Sequence, residues 1–299
     1  MKNNKKLVEN FELDEAATQL LDALEKENNR VKDFLINSYK GLPVSLEMKE
    51  EAYNYFLNNS VILTAMTTNP GSSVFTEFLY DRVSSSSSID NYVLQCKNGR
   101  AVHARLVAIE KELPKIIEEY RSKNDNVLIG NLGSGPGRDI INVFSTHYRN
   151  ASNIRAVSID KDVNALRRGR VMAKVQKVDH LIDFCEGNFF KYDSPDKFDI
   201  LLLIGVLCPL DTETCINILK MAKRFLKKGG CLIASNVTKK MEKEDPFAYF
   251  IMKWLASWSL VFKDEEELKK IYEKAGYAWK EGFRDSYGFH LMGIGAPIF

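Results

Sequence analysis

Residues 126–139 read NVLIGNLGSGPGRD, an aliphatic run followed by a glycine-rich turn and the start of a helical pattern. Gly133, Gly135 and Gly137 let the backbone turn sharply and approach a ligand without interference from Cβ atoms. A helix that follows such a turn directs its free N–H groups toward a ligand there. The spacing differs from the dinucleotide fingerprint G-x-G-x-x-G, because Arg138 stands at the third glycine position. The stretch predicts a buried strand that ends in a ligand-binding turn.

From Val127 onward, short apolar runs alternate with helical stretches. The runs are Val127–Ile129, Ile154–Ile159, Leu181–Phe184, Ile200–Ile204 and Cys231–Ala234. The stretches Val163–Val175 and Cys215–Phe225 have the apolar spacing of crossover helices. This alternation is typical of a parallel sheet that is covered by helices on both faces.

The second run ends in Asp160, which lies 23 residues beyond Gly137. An acidic residue at this place can accept hydrogen bonds from both ribose hydroxyls of an adenosine moiety. The alternative is that Asp160 is the N-cap of the helix that contains Val163 and Leu166. The glycine-rich turn upstream favours ribose binding.

The third and fourth runs also end in residues suited to a ligand. The third is followed by Asn188 and Phe189, a polar and an aromatic side chain that suit the edge and face of an adenine ring. A plain turn is the alternative, since Gly187-Asn188 is a turn sequence by propensity. The fourth ends at Gly205, where a ligand could lie close to the backbone.

The whole series from Asn126 to Asn236 resembles the class I S-adenosylmethionine-dependent methyltransferases in order and spacing. The resemblance implies an α/β, Rossmann-like three-layer sandwich with a mostly parallel seven-stranded sheet, an antiparallel last strand in Phe289–Ala296, and an additional N-terminal helical region. It implies S-adenosylmethionine as the cofactor. The cofactor-binding residues that it implies are Asn131, Gly133, Gly135, Gly137, Asp139, Asp160, Asn188, Phe189 and Gly205.

The chain departs from the family pattern at three places. Asn131 stands where the family usually has Asp or Glu, and Asn188 stands where Asp is commoner. Many members that act on small molecules have Glu-His where this chain has Cys208-Pro209. The histidine that could act as a base at that point is therefore absent, and Cys208 is expected to be a buried thiol rather than a nucleophile.

Methyl transfer from a sulfonium mainly requires alignment of the acceptor, the methyl group and sulfur. The leaving thioether is neutral, so no general acid is needed. A hydroxyl or protonated amine acceptor requires a base, whereas a carboxylate acceptor does not. The candidates for a base or orienting group are Tyr53, His103, Asp211, Tyr287 and His290. For each of them a structural role is the stronger expectation, because the sequence does not place it at the methyl group.

The sequence predicts two parts, a helical region over residues 1–95 on the substrate side and a methyltransferase domain over 96–299. Apolar spacing predicts helices near residues 13–24 and 31–35, then over Leu46–Leu57, Val74–Val83 and Arg100–Tyr120. The serines at 84–88 are expected to form a flexible loop that joins the two parts.

A second segment outside the predicted sheet contains many aromatic residues. Phe247, Phe250, Trp254 and Trp258 are predicted to share one helical face. This face is expected to pack as a cap helix, and the functional alternative is an apolar wall for a hydrophobic acceptor.

Composition and charge argue against several other classes. The 42 Lys+Arg and 40 Asp+Glu residues give a net charge of +2, without the basic track that nucleic-acid binding requires. Five cysteines without a CxxC pair and four scattered histidines show no metal-ligand spacing. Free thiols suggest a reducing, cytoplasmic location. The N-terminus lacks a signal-peptide core, and the apolar run 247–262 is too short to span a membrane comfortably.

The function predicted from these observations is transfer of a methyl group to an oxygen, nitrogen or carboxyl of a small-molecule acceptor by a monomer or homodimer. The acceptor is apolar if the aromatic face lines its pocket. One alternative is aminocarboxypropyl transfer, because nicotianamine synthase-like enzymes also use a Gly-Ser-Gly-Pro turn on this fold. Another alternative is a protein that binds the cofactor without catalysis, which the departures at Asn131 and Asn188 permit.

Overall fold

The computed structural model describes residues 13–69, 71–83, 85–189, 191–192 and 197–299. Within them the chain divides into two units. The first unit extends to Val102 and takes in Met241–Ser259, and the second comprises His103–Lys240 and Leu260–Phe299. The sequence predicts a functional boundary between residues 95 and 96, and that boundary stays a prediction. The bounds of the two structural units differ from it. They differ because one long helix, Lys97–Arg121, begins just after 95/96 and runs through the boundary between Val102 and His103, and because 241–259 is distant in sequence from the helices with which it clusters.

The helices follow from capping residues and apolar spacing. In chain order they are α1 (Glu15–Glu27), α2 (Asn29–Tyr39), α3 (Leu46–Asn59), α4 (Val61–Thr68), α5 (Ser73–Asp81), α6 (Ser88–Gln95), α7 (Lys97–Arg121), α8 (Arg138–Val143), α9 (Val163–Val175), α10 (Thr212–Ala222), α11 (Lys239–Glu244), α12 (Pro246–Ala256) and α13 (Glu265–Lys274). A π-helical turn, Phe144–Tyr148, continues α8, and single 3₁₀ turns lie at Asp179–Leu181 and Lys223–Phe225. The predicted N-terminal helices are confirmed, and α4 and α6 are additional.

In the first unit, N-cap side chains start the helices and an apolar face buries them. Asp14 accepts a hydrogen bond from the Ala17 N–H at the start of α1, whose Leu20 and Leu24 are buried. Ser87 caps α6 by accepting from the Asp90 N–H. The prediction of a flexible loop at the serine run is wrong for the residues described there, since they make hydrogen bonds within this unit; Ser84 lies outside the described residues.

The segment around α12 packs aromatic side chains inside the first unit. The Phe247 ring lies 5.0 Å from that of Tyr39, and the Trp254 ring lies 4.9 Å from that of Phe34. Trp258 does not continue the helical face, because α12 ends at Ala256 and Ser257 takes a left-handed conformation with φ 49°. The prediction that Trp258 shares this face is therefore wrong. Phe247 and Trp254 pack within the first unit, and the role of this helix as a cap stays a prediction.

The second unit contains one sheet of seven strands among its described residues. The strands are β1 (Val127–Leu132), β2 (Ile154–Asp160), β3 (Ile182–Glu186), β4 (Phe198–Leu203), β5 (Leu226–Val237), β6 (Tyr277–Arg284) and β7 (His290–Pro297). Their order is β3-β2-β1-β4-β5-β7-β6. Neighbouring strands from β1 to β5 pair in parallel, and β7 pairs antiparallel with β5 and β6. The predicted α/β sheet with an antiparallel last strand is confirmed.

Two apolar clusters lie on the two faces of the sheet and make three layers. Helices α7, α8 and α9 contribute to one cluster, for example through Ile109 and Ile140. Helices α10 and α13 contribute to the other, for example through Leu219 and Leu268. Because both faces are covered, all six residues of β4 are buried, which explains the apolar run from Ile200 to Leu203. The buried Asp199 of this strand is paired with Lys227 at 2.8 Å. In the part of the chain that the structure describes, the helices lack the combined length and apolarity needed to cross a membrane.

Candidate functional site

The glycine-rich turn connects β1 to α8 at the carboxyl edge of the sheet. Gly133, Gly135 and Gly137 have φ angles of 63°, 54° and 72°, in the left-handed region that side chains with a Cβ rarely adopt. The Gly133 N–H donates to the carbonyl of Ile159 at 2.9 Å, which joins the turn to β2. A Cβ added at Gly137 would lie 2.8 Å from Ser158 Oγ. The turn therefore requires glycine both for its backbone conformation and for close packing on β2.

The Asp160 carboxylate lies at the end of β2 and faces this turn. Its Oδ2 accepts from the Gly135 N–H at 2.7 Å, and its Oδ1 accepts from the Asp162 N–H at 2.8 Å. The N-cap of α9 is Asp162, which accepts from Asn164 and Ala165, so the alternative that Asp160 is the cap is wrong. A carboxylate offers about four lone-pair positions, so positions remain on Asp160 for ligand hydroxyls.

Phe189 and Asn188 follow β3 and differ in exposure. Phe189 is half-buried, and its ring lies 3.7 Å from the position that a Cβ on Gly133 would occupy. Asn188 is exposed, and its carbonyl accepts from the Tyr192 N–H at 2.9 Å. The aromatic ring is thus brought to the glycine-rich turn, whereas the Asn188 backbone forms the turn after β3.

Gly205 follows β4 at the point where the strand order reverses between β1 and β4. It is exposed, its φ is 79°, and its N–H donates to Ser235 Oγ of β5 at 2.7 Å. A Cβ added at Gly205 would lie 3.4 Å from a guanidinium nitrogen of Arg105. Ligands of open α/β sheets bind outside the carboxyl ends of the strands at such a reversal. Gly205 leaves space for a ligand beside a buried cation.

Asn131 and Asp139 are buried and hydrogen-bonded to each other behind the turn. Asn131 Nδ2 donates to Asp139 Oδ1 at 3.0 Å, and the Ile140 N–H donates to the same oxygen at 2.9 Å. Burial raises the pKa of Asp139, although the Ile140 and Asn131 hydrogen bonds and the charge of Arg105 oppose the shift. The pair joins the end of β1 to the start of α8.

His290, the first residue of β7, pairs with Asp285 in the β6–β7 turn. His290 Nδ1 lies 3.1 Å from Asp285 Oδ2, and both side chains are almost fully buried. An ionised carboxylate only accepts, so we assign the proton to Nδ1, which leaves Nε2 with its lone pair. Burial lowers the pKa of His290 and the Arg105 charge lowers it further, whereas the hydrogen bond with Asp285 raises it. Burial opposes ionisation of Asp285, but hydrogen bonds from His290 and Tyr287 outweigh it and lower the pKa of Asp285.

The other candidate bases have different surroundings. Asp211 caps α10, and hydrogen bonds from Thr214 hold its pKa below the usual value. Tyr53 is 37% exposed on α3 of the first unit. Tyr287 is half-buried, with its ring 6.0 Å from that of Phe289, and His103 is half-buried on α7. Of the predicted candidates, His290 alone is a buried imidazole with a carboxylate partner.

Two functional candidates were absent from the sequence-based set, Asp285 and Arg105. Asp285 is five residues before His290, on the other side of a tight turn, and this spacing has no motif attached to it. Arg105 lies four residues before Ile109 on the apolar face of α7 and is only 8% exposed. A charge on an apolar helical face was the signal that could have identified it.

Cys208 follows Gly205 in the same loop and is buried. Burial raises the pKa of its thiol, although the charges of Arg105 and Lys263 oppose the shift. The thiolate is therefore disfavoured, which agrees with the expectation that Cys208 is not a nucleophile. Among the residues with a described placement, no three His, Cys, Asp and Glu side chains are grouped as metal ligands would be.

A cavity of about 750 Å³ lies at the other end of the strands. Leu128, Arg155, Asp183 and Phe198, which line it, are at or near the starts of β1 to β4. The glycine-rich turn and the residues after β2 and β4 do not line it. The cavity is therefore separate from the candidate site, which lies at the carboxyl ends.

Comparisons with known proteins agree with this geometry. The family model described as "Methyltransferase domain" matches residues 121–276, more than half of the 299 residues. No curated protein sequence matches significantly. Among solved structures, a possible exported protein from Bordetella parapertussis has a TM-score of 0.69 at 15% identity, with 96% of this chain and 98% of that chain covered.

Two further solved structures share the fold. Magnesium protoporphyrin IX methyltransferase from Synechocystis PCC 6803, with S-adenosylhomocysteine bound, has a TM-score of 0.57 at 12% identity, covering 79% of this chain and 99% of that chain. The pyocyanin biosynthetic protein PhzM has a TM-score of 0.55 at 13% identity, covering 95% and 74%. At these identities the likeness establishes the fold.

Proposed function

This chain belongs to the methyltransferase-domain family and is an S-adenosylmethionine-dependent methyltransferase, and from that premise we propose that its acceptor is a small molecule. The absence of a basic track, with a net charge of +2, argues against nucleic acid as the substrate. Two proteins with the same fold act in small-molecule chemistry by their names, a magnesium protoporphyrin IX methyltransferase and a pyocyanin biosynthetic protein.

The residues at the carboxyl edge fit the cofactor. The observation that carries the proposal is the Asp160 carboxylate, which faces the glycine-rich turn and retains lone pairs beyond its two backbone hydrogen bonds. We assign these lone pairs to the ribose hydroxyls. Gly133, Gly135 and Gly137 would present backbone to the methionine half, and Phe189 would contact the adenine. Asn188 is assigned to the adenine edge.

The remaining proposed cofactor residues hold the glycine-rich turn in place or leave space beside it. The hydrogen-bonded pair Asn131–Asp139 holds β1 and α8 in place around the turn. Gly205 supplies open backbone at the end of β4, because its Cα carries no side chain toward the ligand. When bound, the cofactor supplies an activated methyl group for in-line displacement by the acceptor.

We assign His290 as the general base for a hydroxyl or amine acceptor. Asp285 holds the Nδ1 proton, and the imidazole is therefore oriented with Nε2 as the acceptor. The lowered pKa of His290 keeps the ring neutral at neutral pH, so Nε2 can take a proton. Asp211 is less suited, because its lowered pKa makes it a weak base.

Other parts of the predicted function stay predictions. They are the role of residues 1–95 on the acceptor side, the apolar character of the acceptor and the monomeric or homodimeric state. A reducing, cytoplasmic location is supported by the five cysteines, which are all free.

Calorimetry with S-adenosylhomocysteine tests the site. We expect Asp160→Ala to weaken binding by about 1–3 kcal/mol, the cost of losing hydrogen bonds to a charged group. The matched control is Asp162→Ala, which removes the neighbouring carboxylate and the cap of α9 but leaves the proposed ribose contact. Unchanged affinity in Asp160→Ala would contradict the assignment.

Product analysis tests the reaction. Incubation with S-adenosylmethionine and a panel of small hydroxyl, amine and carboxyl acceptors should release S-adenosylhomocysteine. Release of methylthioadenosine instead would indicate aminocarboxypropyl transfer. Tight cofactor binding with no product from any acceptor would favour a protein that binds without catalysis.

A further inference from the structure

The crossover from β3 to β4 is shorter than the other crossovers between parallel strands. Eleven residues, 187–197, lie between Glu186 and Phe198, fewer than the 13 residues of α9 alone. The other crossovers contain α8, α9 or α10. A parallel crossover usually takes a dozen or more residues and includes a helix that covers the sheet. The β3–β4 crossover is therefore too short to cover its side of the sheet with a helix as long as α9.

Apolar side chains of β1, β2 and β3 are only partly buried on this side of the sheet. Leu128, Val157 and Cys185 are half-buried, at the margin of the apolar cluster to which α10 and α13 contribute. Leu201 and Leu203 of β4 belong to the same cluster and are fully buried. The half-buried side chains line the cavity at the starts of the strands, so this cavity has an apolar floor.

The size and lining of the cavity are those of a small-molecule site. Its volume of about 750 Å³ lies within the ~300–1,000 Å³ that is usual for ligand pockets. The aromatic side chains of Phe184, Tyr192 and Phe198 also line it. Aromatic rings pack favourably on other flat rings. The sheet floor and these rings therefore suit a ligand with a flat, apolar body.

The charged side chains around the cavity are cationic in excess. They are Arg155, Arg170, Lys174, Asp179 and Asp183. Arg155 and Asp183 form an ion pair of 2.8 Å, so their charges offset each other. Among the residues that the structure describes, Lys174 has no hydrogen bond or ion pair, and the guanidinium of Arg170 lies 5.8 Å from the centre of the Phe184 ring. One cation remains in excess, which favours a ligand that carries a negative charge.

The edge of β3 borders the same cavity but is poorly suited to an added strand. In the order of the described strands, β3 is at one end and pairs only with β2. Nη2 of Arg170 donates to the Phe184 carbonyl of β3 at 2.6 Å. A cationic side chain over an edge opposes pairing with another chain. The cavity therefore fits a small molecule better than an extended peptide.

We propose that this cavity is a second ligand site, separate from the cofactor site, for a small organic anion with a flat, apolar body. Val157, Tyr192 and Phe198 contact the body of the ligand, and Arg170 and Lys174 attract its anionic group. The proposal stands on the lining of the cavity at the starts of the strands and does not depend on the proposed function.

Calorimetry on the full-length protein tests the proposal with two probes. They are a naphthalene carboxylate and the matching naphthalene methanol, which lacks the charge. We expect the carboxylate to bind about tenfold more tightly than the alcohol, a charge-assisted contact weakened by solvent. Its affinity should be unchanged by S-adenosylhomocysteine. Absence of carboxylate binding, equal affinity for the alcohol, or displacement by S-adenosylhomocysteine would each overturn the proposal. If S-adenosylhomocysteine itself does not bind, the proposed function fails, and the two probes still decide this proposal.

Two double variants assign the charge preference to the cavity. Arg170→Gln with Lys174→Gln should weaken carboxylate binding about tenfold and leave alcohol binding unchanged. Arg167→Gln with Lys177→Gln is the matched control, because both residues are exposed cations on or next to α9 and neither lines the cavity. The control should bind both probes as the wild type does. Equal losses in the two double variants would mean that only the overall charge matters, and would overturn the proposal.

A crystal soaked with the brominated carboxylate locates the probe. Anomalous scattering from bromine should lie beside Val157 and Tyr192 at the starts of the strands. Bromine only at the carboxyl edge of the sheet, or at no ordered position, would overturn the proposal. Thermal unfolding of each double variant checks that it is folded, and the wild-type titrations and the soaked crystal do not depend on that result.

Discussion

Asp285 in the second unit and Asp245 in the first are both almost fully buried, with 4% and 3% exposed, but they differ in how readily they ionise. Asp285 is held by the ring and backbone of His290 and by the Tyr287 N–H, and its pKa is lowered despite burial. Asp245 accepts only from the backbone N–H groups of Asn98 and Ala248 among the hydrogen bonds described. Burial prevails there and raises the pKa of Asp245 to about 6.

The difference shows what each region uses its polar groups for. In the first unit, Asp245 caps both α12 and the start of α7, so it fixes the ends of helices. At the sheet edge, Asp285 orients an imidazole, which is a group that can take part in chemistry.

The two regions also differ in the backbone against which their close-packed glycines lie. A Cβ on Gly99 would meet the Val93 carbonyl within the first unit, whereas one on Gly169 of α9 would meet the Pro136 carbonyl in the glycine-rich turn.

The largest expected effect tests the chemical role of the sheet edge. His290→Gln should lower kcat for a hydroxyl or amine acceptor by roughly 100- to 10,000-fold, the usual contribution of a general base. The wild-type rate should rise with pH until it passes the pKa of His290, which lies below the ordinary 6.5, and then level off. In His290→Gln, the rate should not show this rise with pH. Steady-state kinetics across pH measures both.

Two variants serve as references for the His290 experiment. Asp285→Asn should also lower kcat, because the amide changes the tautomer or orientation of the imidazole. Asp211→Ala should lower the stability slightly through loss of the α10 cap, with kcat unchanged. An unchanged rate in His290→Gln with such an acceptor would remove His290 from the mechanism.

A second pair of substitutions compares the two close-packed glycines. Gly169→Ala should destabilise the protein by about 3 kcal/mol, because its Cβ would lie 2.3 Å from the Pro136 carbonyl oxygen and backbone must shift. Gly99→Ala should have a similar cost, since its Cβ would lie 1.9 Å from the Val93 carbonyl oxygen. Denaturant unfolding measures both.

The two glycine variants should differ in cofactor affinity. Gly169→Ala should weaken binding of S-adenosylhomocysteine, because the displaced backbone belongs to the glycine-rich turn. Gly99→Ala should leave this affinity unchanged in the folded protein. Equal losses in both variants would contradict a specific role in cofactor binding for the contact between Gly169 and the Pro136 carbonyl.

The smallest expected effect concerns the pH dependence contributed by Asp245. Its folded pKa of about 6 lies above the ordinary value of 3.8, so the folded state binds this proton more tightly than the unfolded state does. The contribution to stability is full below about pH 4 and is lost as pH rises through 6, by roughly 2–3 kcal/mol. Asp245→Asn should remove this dependence.

The Asp245→Asn variant is compared with the wild type at each pH. Asparagine has one acceptor oxygen for two N–H groups, so the variant should lose about 1 kcal/mol at all pH values. Relative to the wild type it should therefore be less stable near pH 4 and should gain as pH rises to 8. Parallel stability curves for the two proteins would show that Asp245 does not titrate in this range.

Local sequence rules were sufficient to predict the strands and the glycine-rich turn that position the site. The alternation of apolar runs and crossover helices predicted the sheet, because strands buried on both faces need unbroken apolar sequence. The glycines at 133, 135 and 137 predicted the turn, because their positive φ angles exclude most other residues. Parallel strands end at one edge, so Asp160 and Gly205 could be assigned there without coordinates.

Long-range packing added what these rules could not supply. The apolar stripe of α7 could be read from the sequence, but the contact between Arg105 and Gly205 joins residues far apart in the chain. The same holds for the Asp245 cap on Asn98, which are 147 residues apart. Local propensity does not encode which distant surfaces pack together, since burial and packing select them collectively.

The sequence by itself therefore determined which residues follow each strand and where the glycine-rich turn lies. Both depend on neighbouring residues and on backbone sterics. Only the tertiary structure decided that Asp162 rather than Asp160 caps α9, that Asp285 partners His290, and that a buried arginine borders Gly205. These outcomes depend on which donors and acceptors are left together once water is excluded, and that is set by the folded chain as a whole.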